Sequence, residues 1–138
     1  MGRILAIDYG GKRTGIAVTD PLQLIATPLE MVRSHELIAF LKQYLQKETV
    51  DAFVVGMPKK LDNTDTNGTL LVNRFLVQLK KEFAEMPVHL IDERFTSKMA
   101  MDTMIAGGMK KKDRRIKGNV DKISAVIILQ SYMESNRL

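Results

Sequence analysis

Three acidic positions, far apart along the chain, are of the type that could do chemistry together. Asp8 closes the apolar run Arg3 to Asp8, and Tyr9-Gly10-Gly11 follows it. The glycines let backbone approach a ligand closely. Asp92 and Glu93 close a second apolar run, from Val88. Asp121 stands in the first turn of an apolar helical stretch, where the helix dipole favours an ionised carboxylate by roughly 0.3–1 kcal/mol. Each has a plainer reading: Asp8 caps a turn, Asp92 and Glu93 pair with Arg94, and Asp121 complements its helix. Gathered at one place, they would repel and raise one another's pKa values. Divalent cations resolve that repulsion, and hard oxygen ligands suit Mg²⁺ or Mn²⁺. A two-metal carboxylate site serves in-line attack on a phosphodiester.

Side chains alternate along a strand. Asp92 continues the face of Val88 and Leu90, and Glu93 that of His89 and Ile91. At most one of the two can join Asp8, and spacing alone does not choose between them.

The elements that must position these acids follow from the hydrophobic period. Arg3 to Asp8, Thr14 to Thr19 and Leu24 to Val32 read as strands joined by short turns, the third broken near Pro28. Leu37, Ile38, Leu41, Tyr44 and Leu45 mark a helical face, with Ser34 as its expected N-cap. Ala52 to Gly56 is a nearly all-apolar strand, expected to be central. Val72, Phe75, Leu76, Leu79 and Phe83 mark a second helix, and Val88 to Asp92 a fifth strand. Ser97 to about Ile105 suggests a short third helix. Val120 to about Glu134 is the last helix, apolar all round from Ile123 to Leu129 and so expected to be buried. Strands separated by helices join by right-handed parallel crossovers. The expected fold is α/β: a mixed five-stranded sheet, an antiparallel meander plus two parallel strands, flanked by helices.

The composition fits this. The chain has 138 residues, 45% hydrophobic and 27% charged, which suits one ordinary domain over residues 1–138. With no cysteine and only two histidines, His35 and His89, a thiolate metal site, a cysteine nucleophile and a Ser-His triad are disfavoured. Lys and Arg total 21 against 16 acidic residues, a net charge of +5, which favours an anionic partner. No signal peptide is visible, and the longest uncharged apolar run, Ala125 to Leu129, is far short of the roughly 20 residues of a membrane span. A soluble, cytoplasmic protein with no membrane partner is expected.

The stretch Ile7 to Asp20 (IDYGGKRTGIAVTD) resembles the opening signature of the YqgF family. These ribonuclease H-like proteins are described as Holliday junction resolvases and as pre-16S ribosomal RNA nucleases. The resemblance continues through VVGMP (54–58), LIDERFTS (90–97) and VDKISAVIIL (120–129), in the same order. It implies that Asp8, Glu93 and Asp121 are the metal-binding catalytic acids, so that Asp92 becomes a supporting residue. It further implies Mg²⁺ or Mn²⁺ as cofactor, and precursor ribosomal RNA or branched DNA as partner, with ribosomal particles nearby. Gly11 stands where the family usually has threonine, and Ser124 where alanine is usual.

Basic residues flank these acids. Lys110, Lys111, Lys112, Arg114, Arg115 and Lys117 make a dense positive run shortly before Asp121. It is either a solvated charge run or a contact to the phosphate backbone, whose binding would fall steeply with salt. Lys12, Arg13 and Arg94 adjoin the acids and could hold the cleaved strand. Tyr9 could stack on a base. The expected activity is metal-dependent endonuclease action on RNA, processing the 5′ end of pre-16S ribosomal RNA. The alternatives are resolution of branched DNA or a non-catalytic RNA or transcription factor. An actin-like or sugar-kinase reading is disfavoured, because those proteins need two large lobes.

Overall fold

Both faces of the central strands are apolar, and each face takes its own cover of helices. The computed structural model describes residues 2–57, 67–92 and 117–135. In chain order the elements are β1 (Arg3–Asp8), β2 (Arg13–Thr19), β3 (Ala26–Arg33), a 3-10 turn (Ser34–Glu36), α1 (Leu37–Lys47), β4 (Val50–Met57), α2 (Asn67–Glu82), β5 (Val88–Asp92) and α3 (Lys117–Ser135). The sheet order is β3-β2-β1-β4-β5. β1 with β2 and β2 with β3 pair antiparallel, while β1 with β4 and β4 with β5 pair parallel. This is the mixed sheet the sequence implies. The helix expected over Ser97 to Ile105 lies outside the described residues.

Leu5, Ile7, Ile16, Val18, Phe53 and Val55 pack on one face beneath Leu37 and Leu41 of α1 and Val72, Phe75, Leu76 and Leu79 of α2. Ile4, Ala6, Ala17, Ala52 and Val54 point the other way, beneath Ala125, Ile128, Leu129 and Met133 of α3. Burying each large aliphatic or phenyl side chain contributes about 1.5–3 kcal/mol. The α3 face is lined by alanines, which have no bulk to hold a helix off, so α3 lies close to the sheet. As its all-round apolar sequence implies, Ser124, Ala125 and Ile127 to Leu129 are buried.

Two local features depart from simple periodicity. The β2–β3 register shifts between Ile16 and Ala17: Ile16 faces Glu30 and Ala17 faces Pro28, which leaves Leu29 as the extra residue of a bulge. Proline donates no ladder hydrogen bond and is tolerated because β3 is an edge strand. The bulge also changes parity, so that Leu29 and Val32, three residues apart, both pack on the α1–α2 face. Ser34 is not the N-cap of α1. That place belongs to Glu36, whose side chain makes no capping bond, because the Ser34 side chain is used elsewhere. Among the described residues, no helix is long and apolar enough to cross a membrane.

Candidate active site

Strands β1, β4 and β5 run parallel, so their C-terminal ends share one edge of the sheet. Asp8 ends β1, opposite Gly15 of β2. Asp92 ends β5, opposite Met57 of β4. Alternation assigns the faces. Ile4 and Ala6 lie under α3, so Asp8, next in the same series, belongs to the α3 face. Ile91 packs on that face too, and His89 lies against Tyr132 of α3, with ring centroids 5.0 Å apart. Val88 packs on the opposite face, and Asp92 shares its parity. Asp92 therefore lies on the side of the sheet away from Asp8.

The direction of α3 follows from its far end. Met133 and Glu134 line a pocket with Leu24, Ile25 and Ala26. Ala26 pairs with Thr19, whose hydroxyl accepts from the Ile4 N–H at 2.9 Å. The last turn of α3 thus sits at the start of β1, and its first turns run back toward the end that carries Asp8. Asp121 is the fifth residue of this helix, and its side chain lies outside the described residues. So do Glu93, Arg94, Lys110, Lys111, Lys112, Arg114 and Arg115, and the side chain of Lys117. Among the described residues, no three His, Cys, Asp or Glu side chains gather to hold a metal. The described acid on the α3 face of this edge, Asp8, is a hard oxygen donor of the kind Mg²⁺ and Mn²⁺ take.

The turn after Asp8 is held from three sides. A Cβ on Gly10 would stand 2.5 Å from the Arg13 carbonyl oxygen, so only glycine fits there. The buried Ser34 hydroxyl donates to the Gly10 carbonyl. With its proton so engaged, it accepts from the Thr14 hydroxyl at 2.9 Å. The Ser34 N–H donates to the Lys12 carbonyl, also at 2.9 Å. On the other side, the Tyr9 ring stacks on Phe75 of α2, with centroids 4.4 Å apart and planes 6° from parallel. One face of the Tyr9 ring is thus taken by packing, and Tyr9 anchors the turn. Ser34→Ala leaves the Thr14 hydroxyl and the Gly10 carbonyl short of a partner, at a cost of about 1–2 kcal/mol. Denaturant melts should show that loss, with the midpoint moving and the slope unchanged.

Basic side chains line a groove beside this turn. Gly11, Lys12, Arg13, Arg33 and His35 bound a space of about 470 Å³. Arg13 and Arg33 are direct cross-strand partners. Among the described residues, Lys12, Arg13 and Arg33 make no ion pair. The sequence singles out Lys12 and Arg13 but gives no sign that Arg33 and His35 line the same space. The bulge near Pro28 brings Arg33 opposite Arg13.

The family model RuvX, described as Holliday junction resolvase, matches residues 2–135. A Bacteroides thetaiotaomicron protein named "Putative pre-16S rRNA nuclease" is 53% identical over 137 residues, 99% of each chain. Among solved structures, the Fowlpox virus resolvase in complex with Holliday junction DNA superposes with a TM-score of 0.61 at 14% identity, over 99% of both chains. Thermus thermophilus RuvC, also with a Holliday junction substrate, gives 0.58 at 17% identity, over 99% of this chain and 97% of the other. These two likenesses establish the fold, the ribonuclease H-like one.

Proposed function

The chain belongs to the RuvX family, and on that premise we propose that it is a metal-dependent endonuclease that processes the 5′ end of precursor 16S ribosomal RNA in the cytoplasm. The observation that carries this reading is the placement of Asp8: at the shared edge of the parallel strands, on the face covered by α3, toward which the start of α3 runs. The RNA assignment draws on the relative at 53% identity, whose name is that of an RNA nuclease.

In this reading Asp8, Glu93 and Asp121 hold the metal. Asp92 shares the parity of Val88, on the face away from Asp8, which supports Glu93, the acid the resemblance implies. Bound there, Mg²⁺ or Mn²⁺ supplies two things: a lowered pKa for the attacking water and neutralised charge at the departing 3′-oxygen. The chain's own work is to hold the strand. Lys12, Arg13 and Arg94 beside the acids, with Lys110, Lys111, Lys112, Arg114 and Arg115 before α3 and Lys117 at its first position, neutralise phosphates without reading sequence. Ser34, Thr14 and Phe75 keep the turn after Asp8 in place.

A second reading, cleavage of branched DNA, is favoured by the description of the family. A paired digestion separates the two. Precursor ribosomal RNA and a four-way DNA junction are incubated with Mn²⁺, Mg²⁺ or chelator, beside an Asp121→Asn control. We expect cutting of the RNA that is lost in chelator and in the control. Cutting of the junction alone supports the second reading. Cutting of neither, in a protein that still binds RNA, makes the chain a binding factor.

A further inference from the structure

The groove beside Asp8 carries an electrostatic conflict that a ligand would resolve. Arg13 and Arg33 face each other directly across β2 and β3. Like charges in that relation destabilise a sheet, and neither arginine has an ion-pair partner among the described residues. The fold maintains the pairing all the same. The bulge at Leu29 sets the parity of β3, and Ser34, next to Arg33, is fastened to the carbonyls of Gly10 and Lys12. Lys12 and His35 complete the lining. All four side chains are exposed.

We propose that Lys12, Arg13, Arg33 and His35 form a clamp for the phosphodiester backbone of the substrate strand, with Arg33 as its key member. For its ligand the clamp rests on the nuclease reading. Arg13 and Gly15 share a parity, and Gly15 pairs with Asp8, so the clamp opens on the face that Asp8 occupies. With strands about 4.8 Å apart and a rise of about 3.3 Å per residue, the Arg13 and Arg33 backbones lie roughly 8 and 12 Å from that of Asp8. The clamp therefore grips the strand within the few nucleotides nearest the cut. Arginine suits the task because its planar fork meets two phosphate oxygens at once. Squeezed between the pair, a phosphate turns their repulsion into shared attraction.

The test is equilibrium binding of single-stranded RNA and of DNA of the same sequence, in chelator so that nothing is cut, across a salt series. Arg33→Gln should weaken binding about five-fold or more and reduce the salt slope by about 0.7 for single strands. Arg33→Lys, which keeps the charge but not the fork, should keep the parental salt slope and bind more tightly than Arg33→Gln, though less tightly than the parent. Lys47→Gln removes an equal charge at the far end of α1 and should change little. Arg33→Gln should melt no lower than the parent, because it relieves the like-charge pair. A loss on both strand types assigns the clamp to the shared backbone; a loss on one alone supports it for that nucleic acid. Arg33→Gln and Arg33→Glu proteins that bind with the parental affinity and slope overturn the clamp. If those proteins still cut, the nuclease reading survives without it. Arg33-dependent binding in a protein that cuts nothing overturns the nuclease reading and leaves the clamp.

Discussion

Asp8→Asn should abolish cleavage, lowering the rate by about 10³-fold or more, while leaving the fold intact. An acid that holds a catalytic divalent ion supports several kcal/mol of transition-state stabilisation, and about 4 kcal/mol corresponds to roughly 10³ in rate. Asparagine keeps the shape and one carbonyl oxygen but removes the negative charge that attracts the ion. The fold should not depend on that charge, since the apolar contacts of β1 come from Ile4, Leu5, Ala6 and Ile7, all buried. Single-turnover cleavage of precursor RNA with saturating Mn²⁺, beside a thermal melt, checks both halves. A variant that melts like the parent and cuts like the parent removes Asp8 from the chemistry, and the proposed mechanism falls with it.

The place of Asp8 at a strand end was legible in the sequence because an apolar run that stops on a carboxylate, followed by two glycines, is a local signal. The central position of β4 was legible for the same reason: Val54 serves one face while Phe53 and Val55 serve the other, and a strand covered on both sides shows as an unbroken apolar run. What stayed hidden depends on pairing between distant residues. Ser34 looks like a helix cap from its neighbours, yet its hydroxyl is committed to Gly10, 24 residues away. Arg33 looks like an isolated surface charge until the bulge at Leu29 sets it across from Arg13. Tyr9 looks free beside two glycines, but Phe75 arrives from a helix far along the chain. Asp92 and Glu93 differ in parity in any reading. Only the packing of Ala6 and Ile91 under α3 tells which parity Asp8 shares.

The same packing makes Ala125→Leu a test of how the site is assembled. Ala125 is fully buried against a sheet surface built from Ala6, Ala17 and Ala52. Three added carbons must displace these neighbours, and overpacking of this kind costs about 1–3 kcal/mol. Part of the strain will be relieved by lifting α3 from the sheet. Asp121 precedes Ala125 by four residues, about one turn, and so occupies the same stripe of the helix. Lifting the helix there moves the Asp121 backbone away from Asp8, and a displacement of about 1 Å at a catalytic centre can cost roughly 10²-fold in rate. We therefore expect a lower melting temperature together with a 10- to 100-fold loss of cleavage, roughly as that displacement argues, measured well below the transition. Ile128→Leu, which conserves volume in the same buried face, should cost under about 1.5 kcal/mol and keep most of the activity. If Ala125→Leu lowers stability but cuts at the parental rate, the spacing between α3 and the sheet does not set the geometry of the acids. Asp121 would then have to reach Asp8 by some route other than the close seat of its helix.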